Sequence, residues 1–188
     1  MVLCQFGTCC ESGCCRMKIF VAGLSKSGKS SGARFAAAQR SDLEYVSVSQ
    51  LLKDSGGILP VVTFADALFN QQKAIHTLLD LRSIRKHLII DGHALIETAH
   101  GPMIVPDKFF EGLRPDLIIY VESEPSELYA RRASLGRLEE LDEVIALMAI
   151  ERAVCFRVAV RQKIPLITIN SSTPKIFAEV VGAHLDSV

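Results

Sequence analysis

The sequence predicts an α/β protein of one domain, with a five-stranded parallel sheet and helices on both faces. Two observations point to this class. Five short apolar segments, each typical of a buried strand, alternate along the chain with longer segments of helical spacing. The 188 residues also show no internal repeat and no domain boundary. Because strands that alternate with helices favour parallel pairing, the strand ends should meet at one edge of the sheet.

The loop after the first apolar segment is the strongest chemical signal in the chain. Residues 23–30, Gly-Leu-Ser-Lys-Ser-Gly-Lys-Ser, fit the phosphate-binding pattern G-x-x-x-x-G-K-[ST]. A strand precedes this loop and helix-forming residues follow it, so backbone N–H groups and the positive end of a helix dipole should converge there. We predict ATP as the ligand, with Lys29 at its β- and γ-phosphates and Ser30 on Mg²⁺. The predicted nucleotide-binding residues of this loop are Gly23, Ser25, Lys26, Ser27, Gly28, Lys29, Ser30 and Ser31.

Asp91 is the second signal, because it ends the apolar run Leu88-Ile89-Ile90. A carboxylate at the carboxyl end of a parallel strand can hold Mg²⁺ together with Ser30, or accept the proton of a hydroxyl group. His93 follows two residues later. A loop histidine is often only structural, but this position beside Asp91 makes His93 a candidate substrate-binding residue. Thr98, in the same polar loop, is the second candidate.

Three arginines follow the fourth predicted strand: Arg131, Arg132 and Arg137. They could form a solvated basic face, or they could fold over the transferred phosphate and stabilise its charge. The second interpretation makes them candidate catalytic residues beside Lys29 and Asp91. We expect it to hold for at least one of the three.

The remaining elements follow from spacing, caps and breakers. A short helix should start at Ser47 or Ser49, a longer one should run from its cap Thr63 to Lys86, and residues 93–106 should form a loop. The predicted strands are 18–22, 43–48, 88–91, 116–121 and 165–170, and the later helices are 106–113, one from Pro125, 139–163 and 174–185. The helix over 139–163 is apolar around much of its circumference, which predicts burial or pairing with another subunit.

Composition excludes several classes of protein. Hydrophobic residues make up 49% of the chain, and 21 basic residues balance 21 acidic ones. A nucleic-acid-binding protein would normally carry a basic excess, so we expect no nucleic-acid partner. No apolar stretch is long enough to span a bilayer, and no signal peptide is recognisable, so we expect no membrane partner and a cytoplasmic location.

Cysteine is distributed unevenly, since five of the six cysteines lie within the first fifteen residues. A disulfide-stapled domain would spread its cysteines through the fold. The pairs Cys9-Cys10 and Cys14-Cys15 could bind zinc or carry palmitate, but C-x-x-C spacing is missing. Met17 stands directly before the first strand. We therefore predict that residues 1–16 are an extension outside the fold and that residues 17–188 form the phosphate-loop domain.

Several segments resemble the archaeal-type adenylate kinases among the nucleoside-monophosphate kinases. Residues 90–98, Ile-Asp-Gly-His-Ala-Leu-Ile-Glu-Thr, are similar to an apolar-Asp-Thr-His-Ala segment of that family, and Gly101-Pro102 follows them. The resemblance implies a strand order 2-3-1-4-5 and phosphoryl transfer between nucleotides. It also implies a shortened lid formed by Arg131-Arg132 with Arg137, and Asn170 near the adenine. Oligomers formed through the late helix are a further implication.

One departure from the family concerns the acceptor. The family places arginines on the helices after the second strand, whereas this chain has no arginine between Arg40 and Arg82. Three hypotheses therefore stand. The chain phosphorylates a nucleoside monophosphate, or it phosphorylates a hydroxyl-bearing metabolite with Asp91 as general base, or it is a nucleotide-dependent binding protein or assembly ATPase on the same fold.

Overall fold

Five parallel strands form the central sheet of this computed structural model, which describes residues 16–80, 86–170 and 173–187. Their spatial order is β2-β3-β1-β6-β7. Counted along the chain these are the five predicted strands in the order 2-3-1-4-5, so the expected topology is confirmed. The bounds are β1 Lys18–Ala22, β2 Leu43–Ser47, β3 His87–Asp91, β6 Leu117–Glu122 and β7 Leu166–Asn170.

The helices lie on both sides of this sheet. Their bounds are α1 Lys29–Ala38, α2 Val48–Asp54, α3 Phe64–Asp80, α4 Asp107–Leu113, α5 Pro125–Ala133, α6 Leu141–Gln162 and α7 Pro174–Leu185. Ser47, rather than Ser49, caps α2, since its hydroxyl accepts the backbone N–H of Gln50 at 3.4 Å. The hydroxyl of Thr63 accepts the backbone N–H of Asp66 at 3.1 Å, as expected of the predicted cap of α3.

Alternation along the central strands divides the interior into two cores. In β1, Ile19 and Val21 face the core beneath α1 and α7, whereas Phe20 and Ala22 face the core beneath α3, α4 and α6. Both faces are buried, so β1, β3 and β6 read as continuous apolar runs, as is usual for parallel strands. At Gly32 the two helices of the first core meet closely, because an added Cβ would lie 2.7 Å from the ring of Phe177.

Two predicted boundaries need correction. The helix predicted to reach Lys86 ends at Asp80 in α3, and residues 81–85 lie outside the described residues. The predicted loop over 93–106 contains an antiparallel hairpin, β4 Leu95–Thr98 and β5 Gly101–Ile104. Its strands are only four residues long, and the Gly101-Pro102 pair in the second one reads as a loop signal.

The predicted Cys-rich extension covers residues 1–16, of which residues 1–15 lie outside the described part of the chain, and it stays a prediction. Within the described part, none of the helices is both long and apolar enough to cross a bilayer.

Candidate active site

The phosphate loop leaves β1 at the carboxyl edge of the sheet and leads into α1. Gly23 has φ = 148°, and an added Cβ there would lie 2.7 Å from the carbonyl oxygen of Val121, so only glycine fits. Gly28, directly before α1, has φ = 95° and supplies no side-chain cap, and the first turn of α1 contains no acidic residue. The positive end of this helix is therefore left for an external anion, as the sequence motif predicted.

Lys29 is buried at the start of α1. Its ammonium nitrogen lies 3.2 Å from Nε2 of His93 and 3.9 Å from Oδ1 of Asp91. Burial lowers the pKa of Lys29, and the negative charges of Asp91, Glu151 and Glu97 oppose that shift. Because the ammonium donates to Nε2, the imidazole proton of His93 belongs on Nδ1. The structure thus brings Lys29 of the phosphate loop against Asp91 and His93, which follow much later in the sequence.

Asp91 is the last residue of β3, and its carboxylate accepts hydrogen bonds from two hydroxyl groups. Its Oδ2 accepts hydrogen bonds from Ser30 at 2.5 Å and from Tyr45 at 2.8 Å. Burial raises the pKa of Tyr45, and the hydrogen bond to Asp91 adds to that shift. Tyr45 was not predicted from the sequence. Its role depends on the pairing of β2 with β3, in which Ser47 lies beside Asp91.

Ser30 and Asp91 fit the magnesium ion that the motif implies. They present a hydroxyl and a carboxylate oxygen, the hard ligands that Mg²⁺ prefers. Across residues 16–80, 86–170 and 173–187, no group of three or more His, Cys, Asp or Glu residues could enclose a metal ion. Mg²⁺ is commonly held by one or two protein side chains and completed by substrate phosphates and water.

Glu151 is a second residue that the sequence argument missed. Its side chain is fully buried on α6 and its Oε1 accepts the backbone N–H groups of Ala94 at 3.0 Å and Gly23 at 3.4 Å. The same oxygen lies 3.7 Å from Nδ1 of His93. The available signal was spacing, because Glu151 falls three residues after buried Met148 and four before buried Cys155, on the apolar stripe of the helix.

A cavity of about 600 Å³ opens in front of the loop. We call the part of its wall formed by the phosphate loop and Arg131 the loop half; its residues are Ser25, Lys26, Gly28, Lys29, Ser30, Ser31 and Arg131. Asp91, Gly92 and His93 also line the cavity, next to Lys29 and Ser30. We call the remaining wall the distal half; it is formed by Val48, Ser49, Leu52, Leu59, Val61, Asn70, Gln71, Ala74, Ile96, Val105 and Phe109. The cavity therefore joins the phosphate loop to a mostly apolar wall.

The three arginines separate in the structure. Arg131 lines the cavity and donates to the carbonyl oxygen of Lys26 at 3.1 Å. Arg132 is fully buried instead, with its guanidinium between the carboxylates of Glu97 and Glu139. Arg137 pairs with Glu97 from the exposed side. Burial alone would raise the pKa of Glu97, but the two arginines hold it below the usual range. Of the three arginines, Arg131 is the one among the residues that line the cavity.

Other predicted residues lie in several places. Ser25, Lys26, Gly28, Ser30 and Ser31 line the cavity. Ser27 is buried within the loop, where its backbone N–H donates to Leu24 at 3.1 Å.

Six predicted residues are not among those that line the cavity: Gly23, Ser27, Thr98, Arg132, Arg137 and Asn170. Thr98 closes the hairpin by donating to the carbonyl oxygen of Gly101 at 2.8 Å. Asn170 is the exposed last residue of β7.

The sequence is similar to a known protein family and to a known enzyme over the region that contains the phosphate motif. The family model AAA_17, described as an AAA domain, matches residues 22–146. An adenylate kinase of Pyrococcus furiosus is 24% identical over 124 residues, which cover 61% of this chain and 63% of the relative. The chain thus spans less than two thirds of that curated relative.

Solved structures of kinases share the fold. A shikimate kinase from Acinetobacter baumannii in complex with shikimate superposes with a TM-score of 0.61 at 14% identity, covering 92% of this chain and 94% of the other. A sugar kinase from Janibacter sp. HTCC2649 gives 0.56 at 16% identity, covering 91% and 95%. At these identities the likeness concerns the fold alone. With the family model spanning more than half of the sequence, and the phosphate loop built as its motif requires, the chain belongs to the AAA_17 family of AAA domains.

Proposed function

We propose that this protein is an enzyme that transfers the γ-phosphoryl group of ATP to a small molecule bound in the distal half of the cavity. One observation carries the proposal. Lys29, Ser30 and Asp91 converge in one cavity, whose lining continues from the phosphate loop to a mostly apolar wall formed by residues of α2, α3 and α4 and the segments between them. A small acceptor bound against that wall would share this cavity with the triphosphate.

The roles of the side chains follow from their positions. The loop N–H groups and Lys29 bind the β- and γ-phosphates, and Arg131 reaches the same group from α5. Ser30 and Asp91 would hold Mg²⁺, which neutralises charge on the phosphates when bound. Little covalent chemistry remains for the protein, so positioning and charge stabilisation supply the rate.

The acceptor that the geometry supports best bears a hydroxyl group. The acceptor oxygen attacks the γ-phosphorus, its proton passes to the carboxylate of Asp91, and the bond from the γ-phosphorus to the β–γ bridging oxygen breaks to release ADP. Asp91 lines the same cavity beside Ser30, so its carboxylate faces the space that the triphosphate and an acceptor would share. Solved relatives of the same fold include a shikimate kinase and a sugar kinase, and both names denote hydroxyl-bearing acceptors.

A nucleoside monophosphate is the second candidate acceptor. It is favoured by the adenylate kinase of Pyrococcus furiosus, which is similar over 124 residues. The resemblance of residues 90–98 to the archaeal-type enzymes points the same way. In that case the acceptor oxygen is already ionised, and Asp91 would serve the metal alone.

Product analysis separates these functions. The purified chain is incubated with Mg-ATP and one acceptor at a time, and all nucleotides and phosphate esters are quantified by chromatography. We expect ADP and a phosphorylated hydroxyl compound in equal amounts. A nucleoside diphosphate in place of the ester would establish the second candidate. ADP and free phosphate with every acceptor would overturn the proposal and indicate an ATPase.

A further inference from the structure

The two hydroxyl groups that Asp91 accepts share one of its carboxylate oxygens. Ser30 and Tyr45 both donate to Oδ2. The other oxygen, Oδ1, lies 3.9 Å from the ammonium nitrogen of Lys29, which is beyond hydrogen-bond distance. Because rotation of the carboxylate would break both hydrogen bonds, its orientation is fixed. Oδ1 is left for a metal ion or for one of the water ligands of that ion.

The hydroxyl of Tyr45 reaches Asp91 from the neighbouring strand. In the parallel pairing of β2 with β3, Tyr45 lies beside Ile89 and Ser47 lies beside Asp91. The side chain of Tyr45 is partly buried against the core beneath α1 and α7, and its Oη lies 2.8 Å from Oδ2 of Asp91. The sheet therefore fixes the backbone of Tyr45, and its hydroxyl approaches the carboxylate from a place outside the residues that line the cavity.

Arg34 of α1 covers the ring of Tyr45. Its guanidinium carbon lies 5.2 Å from the ring centroid, within the range of a cation–π interaction. Arg34 follows Ser30 by four residues, so both side chains lie on the same face of α1. The contacts of Ser30 with Asp91, of Asp91 with Tyr45 and of Tyr45 with Arg34 thus connect α1, β3 and β2 in a closed set.

The direction of the hydrogen bond between Tyr45 and Asp91 is fixed as well. Burial and this hydrogen bond raise the pKa of Tyr45 above its ordinary value of 10.0, so the phenol keeps its proton at neutral pH. An ionised carboxylate can only accept. A hydrogen bond to such a charged acceptor is roughly twice as strong as one between neutral groups.

We propose that Tyr45 is a positioning residue of the magnesium site: its hydroxyl, supported by Arg34, fixes the carboxylate of Asp91 in the orientation that serves the metal ion together with Ser30. Outer-shell partners of this kind typically change metal affinity or activity about 10- to 100-fold. The inference rests on the proposed function for its nucleotide and its metal ion. It assigns the support of that ion to a residue that does not line the cavity.

Binding of Mn²⁺ to the complex of the protein with ADP tests the proposal without any acceptor. Mn²⁺ takes the place of Mg²⁺, because its electron paramagnetic resonance signal distinguishes the free ion from the bound one. Tyr45→Phe removes only the hydroxyl and keeps the ring for Arg34. We expect the Kd of Mn²⁺ to rise at least about tenfold in this variant. The Kd of ADP measured without metal should stay unchanged.

Tyr120→Phe is the matched control. It also removes one tyrosine hydroxyl, which donates to the carbonyl oxygen of Met148 at 3.0 Å inside the core. Both variants should lower the midpoint of urea unfolding, because each loses a hydrogen bond of the fold. Only Tyr45→Phe should change the Kd of Mn²⁺. An equal change of this Kd in the two variants would reveal a general loss of structure and overturn the proposal.

Arg34→Ala tests the support of the ring. In the wild-type background it should raise the Kd of Mn²⁺ about two- to fivefold, the value of an exposed cation–π contact. In the Tyr45→Phe background it should cause no further rise, because the hydroxyl through which Arg34 acts is missing. An equal rise in both backgrounds would overturn the role of Arg34, since it would then act on the site independently of Tyr45.

The outcomes separate this inference from the function on which it rests. Unchanged Mn²⁺ affinity in a folded Tyr45→Phe variant overturns the inference, even where label from ATP still reaches an acceptor. Release of ADP and free phosphate with every acceptor, together with the expected loss of Mn²⁺ affinity, overturns the proposed transfer and supports the role of Tyr45.

Discussion

The ammonium group of Lys29 is buried against an imidazole and a carboxylate, 3.2 Å from His93 and 3.9 Å from Asp91. Burial disfavours its charged form, so its pKa lies below the ordinary lysine value of 10.5. The same charged form is the one that binds phosphate. Activity should therefore depend on pH through this one group.

We predict that kcat/KM for ATP and kcat both fall at alkaline pH, but at different pH values. Lys29 in the free protein loses its proton at a lower pH than an exposed lysine, so kcat/KM for ATP should fall below pH 10.5. In the complex the triphosphate favours the ammonium form, so kcat should fall only at a higher pH. Steady-state kinetics between neutral pH and the onset of unfolding measure both limbs.

The control for this prediction is Lys29→Arg, because arginine keeps its charge throughout the accessible range. Whatever its absolute rate, that variant should lack the alkaline limb of kcat/KM. If the limb persists in Lys29→Arg, another group titrates and the assignment to Lys29 is wrong.

Single residues were predictable where a motif fixes them. Lys29, Ser30 and Asp91 follow from local patterns, since a strand, a glycine loop and a strand-ending acid each specify a position. The contacts of Tyr45 and Arg132 could not be predicted from local patterns. Tyr45 reaches Asp91 only because β2 lies beside β3. The burial of Arg132 depends on Glu97, 35 residues away along the chain.

At the scale of elements, the buried guanidinium of Arg132 connects three segments. It joins α5 to Glu97 on the hairpin strand β4 and to Glu139 before α6, and its Nη1 also donates to the carbonyl oxygen of Ser25 at 3.4 Å. The side chain is fully buried, and both carboxylates are largely buried. This ion-pair cluster holds the hairpin and the phosphate loop in one arrangement.

Loss of Arg132 should therefore destabilise the protein strongly. Arg132→Ala leaves two carboxylates without their main partner, and breaking a buried pair in this way typically costs about 3–5 kcal/mol of the free energy of unfolding. Urea unfolding monitored by circular dichroism measures the loss.

Arg152→Ala provides the comparison, because the ion pair of Arg152 with Glu122 is exposed. Exposed pairs contribute less than about 1 kcal/mol. Equal losses in the two variants would show that the cluster around Arg132 does not stabilise the fold more than a surface pair does.

The helix α6 and the central strands were predictable, and the hairpin of β4 and β5 was not. The helix α6 carries apolar residues at helical spacing over 22 residues, and β1, β3 and β6 are continuous apolar runs. The hairpin of β4 and β5 has strands of four residues, and its turn residue Gly101 has φ = 109°. Such a pattern cannot be told from a loop without the helix α6 on which the hairpin packs.

At the scale of the whole molecule, the sheet separates two cores, and β1 contributes side chains to both. Met17 takes part in this packing, since its backbone N–H donates to Nδ1 of His87 at 3.0 Å and its side chain packs on the core beneath α1 and α7. The strand order followed from the resemblance to a known family, because pairing between distant strands leaves no local signal. The parallel direction followed from the alternation of strands and helices.

We predict that a chain starting at Met17 keeps both stability and turnover. Its melting temperature should lie within about 2 °C of the full chain, which corresponds to about 0.5–1 kcal/mol for a domain of this size. Differential scanning calorimetry and the product assay measure the two properties. A fall of more than about 5 °C would show that residues 1–16 are part of the folded domain.

The central claim is that the site around Lys29 transfers a phosphoryl group to an acceptor. The most direct test is single-turnover transfer of label from the γ-phosphate of ATP, compared between the wild-type protein, Lys29→Ala and the exposed-lysine control Lys175→Ala. We predict a labelled acceptor with the wild type and the control, and a rate at least about 100-fold lower for Lys29→Ala, as loss of a transition-state charge partner requires. Wild-type transfer by a folded Lys29→Ala variant, or label found only in free phosphate, would contradict the claim.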